Sequence, residues 1–153
     1  MARAAPGELT VRRGRETDAD AIANVFIAAR RPMLAYLPDL HDEADIRNWV
    51  ATMMLPTHEV WVAEFDDAIV GFAALHDDLL GHLYVHPSTQ NRGIGTVLLE
   101  HAKALRPDGL RLYVFQQNVG ARRLYERHGF RVVELGDGSG NEENVPDALY
   151  GWP

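Results

Sequence analysis

Three strand-like runs follow one another at 58–65 (HEVWVAEF), 68–75 (AIVGFAAL) and 79–86 (LLGHLYVH) with no helix between them. Their connections are short, and Asp66-Asp67 reads as a tight turn, so the three run antiparallel. The next strand-like run, 109–115 (GLRLYVF), lies beyond a helical pattern in which Ile94, Val97, Leu98, His101, Ala102 and Leu105 share one face. A strand–helix–strand crossover brings the chain back parallel. One sheet must therefore contain both kinds of pairing, and ligands of such sheets bind where the strand arrangement changes.

The remaining segments complete this frame. Residues 8–14 read as a strand. Thr17 opens a helix, with Asp20 as a weak capping partner, and Ile22, Val25, Phe26 and Ala29 form its buried stripe. Pro32 and Pro38 bracket its end. The acidic run HDEAD leads into a second helix carrying Ile46, Trp49, Val50 and Met53, closed by Pro56. After 115 come a helix with Ala121, Leu124, Tyr125 and His128 on one stripe, a strand at 130–135, a loop at 136–146 and a final strand. The order β-α-α-β-β-β-α-β-α-β-β predicts an α/β (α+β) fold. It has a mixed, mostly antiparallel central sheet of about seven strands, with helices on both faces, in a single domain over residues 1–153.

Charge is unevenly placed. The chain carries −7 overall, but residues 32–87 carry −9, 88–131 carry +5 and 132–153 carry −5. An acidic chain is a poor match to nucleic acid, whereas one basic block inside it can hold a small polyanion. With no cysteine there is no disulfide, no thiolate metal site and no thiol nucleophile. His82 and His86 share a strand face about 13 Å apart, too far for one ion, so no metal is expected. No apolar run of about 18 residues is present, so no membrane span is expected. The start MARAAPGEL lacks an apolar leader core, and a cytoplasmic location is expected.

The most informative segment is LYVHPSTQNRGIGT, residues 83–96. A strand stops at Pro87, a polar loop turns, and Gly93 and Gly95 open a helix whose first N–H groups point outward with the dipole behind them. Arg92 adds a charge. These are the parts of a diphosphate cradle. A dinucleotide fingerprint would place a third glycine at Leu98, and a P-loop would place Lys-Ser or Lys-Thr where Thr96-Val97 stand; both are excluded. An ordinary tight loop into a helix stays open as the other reading. The Gln/Arg-x-x-Gly-x-Gly/Ala pattern at Gln90–Gly95 resembles that of the GNAT superfamily of acetyl-CoA-dependent N-acetyltransferases. A second stretch, Asn118 through Tyr125 to Gly129-Phe130, resembles the same family at the expected spacing.

The resemblance implies a set of roles. Leu83, Tyr84 and Val85 offer backbone groups to the pantetheine arm and the thioester carbonyl. Gln90, Asn91, Arg92, Gly93, Ile94, Gly95 and Thr96 wrap the pyrophosphate, and Asn118 contacts the cofactor near its thiol. Tyr125 is the general acid that protonates the leaving thiolate; on its apolar stripe it also reads as a buried core tyrosine. The implied reaction is direct attack of a primary amine on acetyl-CoA, with no covalent enzyme intermediate and no metal. The expected partner is a small-molecule or peptide amine, and the chain is a monomer or homodimer. A catalytically silent acyl-CoA-binding sensor is the alternative.

No general base is evident. The positions where relatives carry one correspond to Leu79, Gly81 and Tyr113. His82 alternates to the other face and reads as a solvated or hydrogen-bonded strand residue. Glu64, Asp77, Asp78, Glu142 and Glu143 have no assigned geometry, so proton removal through water is expected. The acceptor walls implied by the family fall on the acidic segments 39–45 and 141–144, with Tyr36, Trp49 and Trp152 as aromatic candidates. That field favours a cationic acceptor.

Overall fold

The computed structural model describes residues 7–90 and 92–153. Among them seven strands form one sheet in the order β1-β2-β3-β4-β5-β7-β6. The strands are β1 (Leu9–Arg13), β2 (Glu59–Phe65), β3 (Ala68–His76), β4 (Leu79–Val85), β5 (Leu110–Phe115), β6 (Arg131–Gly136) and β7 (Asp147–Trp152). The helices are α1 (Ala19–Arg30), α2 (Glu43–Trp49), α3 (Leu55–Thr57), α4 (Ile94–Leu105) and α5 (Val119–Arg127). Every adjacent pair is antiparallel except β4–β5. The fold class and the crossover read from the sequence are both present. Asp66 and Asp67 make the β2–β3 turn with φ of 51° and 64°, the left-handed pair that matches a hairpin's twist. No helix among the described residues is long and apolar enough to cross a membrane.

Two cores flank the sheet. On one face Ile22, Val25 and Phe26 of α1 pack with Val50, Met54, Val62 and Phe72. On the other, Ile94, Leu98, Leu99 and Ala102 of α4 pack with Tyr125 of α5, Leu80, Leu112 and Tyr150. Three local expectations are corrected. Residues 50–54 form a π turn after α2, and this wider turn rotates the face, so that Met54 is buried and Met53 is exposed. In α4 the buried stripe takes Leu99, and Val97 is exposed.

The third correction concerns the start of α1. A short turn at Glu16–Asp18 precedes the helix, and Asp18 organises it in place of Thr17 and Asp20. The Asp18 carboxylate accepts the Arg15 N–H at 2.8 Å and takes both ends of the Arg12 guanidinium at 2.8 and 2.9 Å. Arg12 also pairs with Glu64, tying β1, β2 and the turn together. The Arg12 hydrogen bonds hold the Asp18 pKa below its ordinary value. Asp18→Asn is expected to cost about 1–3 kcal/mol at neutral pH, the range for charge-assisted hydrogen bonds. A depressed carboxylate pKa contributes stability above the unfolded-state value and loses it as pH falls through the folded one. Urea midpoints of the two proteins should therefore converge as pH drops below the ordinary aspartate range.

Candidate active site

The site begins with a fault in the sheet. β4 and β5 are paired only at Leu79–Arg111, where the Arg111 N–H donates to the Asp78 carbonyl at 2.8 Å. Past that point the strands diverge. Leu75 pairs with Leu80 and Ala74 with His82, so Gly81 is an extra residue bulged out of the β3–β4 ladder. Such a bulge bends a strand and re-aims the side chains beyond it. The gap opens a cleft of about 560 Å³ lined by Leu80 to Val85, by Tyr113 to Phe115 and by the start of α4. Leu83 and Val85 turn their side chains toward the α4 core, while the Tyr84 ring packs against Phe26 and Phe72 on the other face. All three line the cleft.

At the mouth of this cleft stands the N-terminus of α4. Gly93 caps it with φ of 76°, a left-handed value that side-chain-bearing residues adopt only with strain. The first intrahelical bond is Val97 N–H to the Gly93 carbonyl at 3.0 Å. The N–H groups of Ile94, Gly95 and Thr96 thus have no acceptor within the helix, and no side chain caps them among the described residues. With Gln90 and Gly93, these residues line the cleft. Three free donors at the positive end of a helix dipole suit a diphosphate. Arg92 departs from the expectation for its side chain: the guanidinium lies over the Phe65 ring at 5.4 Å rather than along the cleft. Asn91 lies outside the described residues. The Thr96 hydroxyl is 3.3 Å from His128 Nε2.

Asn118 caps α5 by accepting the Ala121 N–H at 3.2 Å, and it also lines the cleft. Tyr125, further along the same helix, is buried against Phe130 and Tyr150. The two tyrosines differ in one respect. The Tyr150 hydroxyl accepts from Arg122 Nε at 2.8 Å and donates to Glu126 at 2.7 Å. The Tyr125 hydroxyl has no hydrogen bond to another described residue, although the residue lines the cleft. Burial pushes the Tyr125 phenol well above its ordinary value, which keeps it protonated.

A second cleft, of about 520 Å³, lies between α1, α2 and the β6–β7 loop. Its lining is apolar at Phe26, Leu34, Ile46 and Trp49, acidic at Asp39, Asp42, Glu43, Asp45, Glu142 and Glu143, and basic at Arg30 and Arg31. The two acidic segments expected as walls thus meet here. The contact joining them is His41 to Glu142 at 3.0 Å, while Arg30 of α1 holds Glu143 at 3.2 Å. Of the aromatic candidates only Trp49 lines this cleft. Tyr36 packs against Phe115, and Trp152 lies against Phe130 and Lys103 elsewhere.

His82 lines both clefts. The expectation of a solvated or hydrogen-bonded strand histidine fails on the bulge at Gly81. That extra residue sends Leu80 into the α4 core and His82 to the α1–α2 face. There the imidazole sits among Trp49, His58, Phe26 and Tyr84 at ring distances of 5.2 to 6.2 Å. It has no hydrogen bond to another described residue. Desolvation, followed by His58 and Arg30, lowers its pKa to about 4, so the ring is neutral at physiological pH. The glycine inside a strand pattern was the signal for the bulge and hence for His82.

Among the described residues no group of three His, Asp or Glu side chains is placed to hold a metal ion. Comparison with known proteins gives a consistent picture. Residues 56–132 match the family model described as the acetyltransferase (GNAT) domain. The chain is 30% identical over 126 residues to peptidyl-lysine N-acetyltransferase YjaB of Salmonella typhimurium, covering 82% of this chain and 85% of that one. The solution structure of apo YjaB from Escherichia coli superposes with a TM-score of 0.79 at 24% identity, over 95% of this chain and 97% of that one. The PaiA N-acetyltransferase of Thermoplasma acidophilum, solved in complex with coenzyme A, gives 0.74 at 22% identity, over 95% and 98%.

Proposed function

The chain belongs to the GNAT family of acetyltransferases, and on that premise we propose that it moves the acetyl group of acetyl-CoA to the side-chain amine of a peptide lysine by direct attack. The observation that carries this reading is the meeting of two separately lined clefts at His82, one with free backbone donors for a diphosphate and one with a mostly acidic charged lining for a cation. The lysine acceptor is favoured by those carboxylates, by the apolar part of the lining that suits an aliphatic stem, and by the peptidyl-lysine specificity in the name of the YjaB relative.

When bound, acetyl-CoA supplies an acetyl carbon activated as a thioester, which gains a C–N bond and loses its C–S bond. The residues of this chain do the rest. The N–H groups of Ile94, Gly95 and Thr96 hold the diphosphate, while Asn118 and the free edge of β4 along Leu83–Val85 align the pantetheine arm. Backbone N–H groups along that edge stabilise the developing oxyanion. Tyr125 holds a proton at its hydroxyl for the leaving sulfur. Holding two substrates in line is the larger part of the catalysis.

Incubation with acetyl-CoA and a panel of lysine peptides, small amines and polyamines, followed by thiol release, tests the reading. Thiol release with lysine peptides is expected. Tight acetyl-CoA binding without turnover over the whole panel would overturn it in favour of a silent acyl-CoA-binding module.

A further inference from the structure

One hydroxyl at the start of α4 has two destinations for its proton. Thr96 lines the donor cleft with Gly93, Ile94 and Gly95, and its hydroxyl is 3.3 Å from Nε2 of His128, the residue that follows α5. The other ring nitrogen, Nδ1, is 3.0 Å from the carboxylate of Glu100, one turn beyond Thr96 on α4. Lys103 closes the group, with Nζ 3.1 Å from the same carboxylate oxygen and 3.0 Å from the His128 carbonyl. Diphosphate binding through backbone N–H groups alone leaves the Thr96 hydroxyl and this cluster without a part. We propose that His128 is a positioning residue for the diphosphate: its charge sets where the Thr96 hydroxyl directs its proton, so that CoA binding is coupled to the uptake of a proton. The inference rests on the reading of the α4 N-terminus as the diphosphate site.

What each group can donate fixes the direction of the bonds. Lys103, and then His128, hold the Glu100 carboxyl below its ordinary value, so it is ionised and only accepts. His128 therefore carries a proton on Nδ1 in either charge state, and only Nε2 changes. In the neutral ring Nε2 is a lone pair, and the Thr96 hydroxyl donates to it. The hydroxyl then has only lone pairs left, and these oppose the oxygens of a phosphate. In the charged ring Nε2 carries a proton and donates to the hydroxyl oxygen. The hydroxyl proton is then free for a phosphate oxygen, beside the N–H groups of Ile94, Gly95 and Thr96. The imidazolium also adds positive charge near the end of α4 that already favours an anion.

Histidine is the side chain that changes charge within the physiological range. Among the described residues, the charged groups in hydrogen bonds or ion pairs with His128 are Glu100 and Lys103, both from α4 and opposite in sign. Its own helix contributes the Tyr125 carbonyl, which accepts the His128 N–H at 3.0 Å. From β7 the Trp152 ring lies 4.8 Å from Lys103 Nζ and carries no charge. A diphosphate that prefers the charged ring draws a proton onto it, and by the same linkage the cofactor binds more tightly as pH falls. As pH rises the proton is lost, the hydroxyl turns to Nε2 and the hold on the diphosphate loosens. The ring acts through Thr96, so the effect falls on cofactor affinity.

Dephospho-CoA is the probe, because it keeps the diphosphate and lacks the 3′-phosphate, a monoester that itself titrates at about pH 6. Calorimetry should show the wild-type Kd weakening about three- to tenfold between about pH 6 and pH 8, the worth of one charge-assisted hydrogen bond. Repeating the titration in buffers of different ionisation heat reads the proton uptake directly. His128→Gln reaches the same hydroxyl without titrating, and its Kd should vary less than about twofold over that range. Thr96→Val deletes the hydroxyl and should flatten the profile as well, at weaker affinity throughout; circular dichroism reports on the folding of both. A pH-independent wild-type Kd without proton uptake, or the wild-type slope retained in either folded variant, would overturn the role of His128 alone. Failure of the wild-type chain to bind CoA or dephospho-CoA at any pH would overturn the diphosphate reading, and this inference with it.

Discussion

Tyr125→Phe is expected to lower kcat by about 100-fold while leaving acetyl-CoA affinity within about twofold, the signature of a group needed only when the thiolate departs. Phenylalanine keeps the ring contacts with Phe130 and Tyr150 and removes one oxygen. That oxygen has no hydrogen bond to another described residue, so its loss leaves no protein group unsatisfied and folding should be unaffected. Tyr150→Phe serves as a contrast, since its hydroxyl bonds Arg122 and Glu126. It should cost about 1–2 kcal/mol of stability and change turnover far less. Stopped-flow thiol release and calorimetry with CoA separate the two. Unchanged kcat in Tyr125→Phe would remove it as the acid.

Gly93→Val should weaken CoA binding by tenfold or more. A Cβ at Gly93 meets nothing within 4 Å, so the substitution creates no clash inside the protein. The cost is conformational. At φ of 76° a β-branched residue loses at least about 1–2 kcal/mol, and the chain escapes by turning the loop that aims the α4 N–H groups. Gly93→Asn makes the comparison sharp, because asparagine tolerates left-handed backbone and should keep most of the affinity. Calorimetry with CoA is the measurement. Wild-type affinity in the valine variant would remove the helix N-terminus as the diphosphate site.

The sheet and the glycine-capped start of α4 were legible in the sequence because both are local. Alternation over 58–86 and the helix at 94–105 dictate a mixed sheet, and the Gln90–Gly95 motif lies within one strand–turn–helix unit. What stayed hidden depended on single inserted residues or on distant contacts. The bulge at Gly81 reverses the face of His82, and the π turn at 50–54 exchanges Met53 for Met54. Neither shows in a periodicity count, because each shifts the register by one residue without changing composition. The meeting of Asp39–Asp45 with Glu142 and Glu143 spans about a hundred positions and rests on the His41–Glu142 pair. The acidic segments were visible in the sequence, but their juxtaposition was not. Arg92 read as a cradle charge, yet the nearby Phe65 face offers its guanidinium a cation–π contact away from the cleft.

The two clefts have His82 alone in common among the residues that line them, so on the acetyltransfer reading each substrate has its own door. On that reading, a protein acceptor held by the acidic residues need not release its grip for spent CoA to leave and a fresh donor to enter. One encounter with a chain bearing neighbouring lysines can then modify more than one of them.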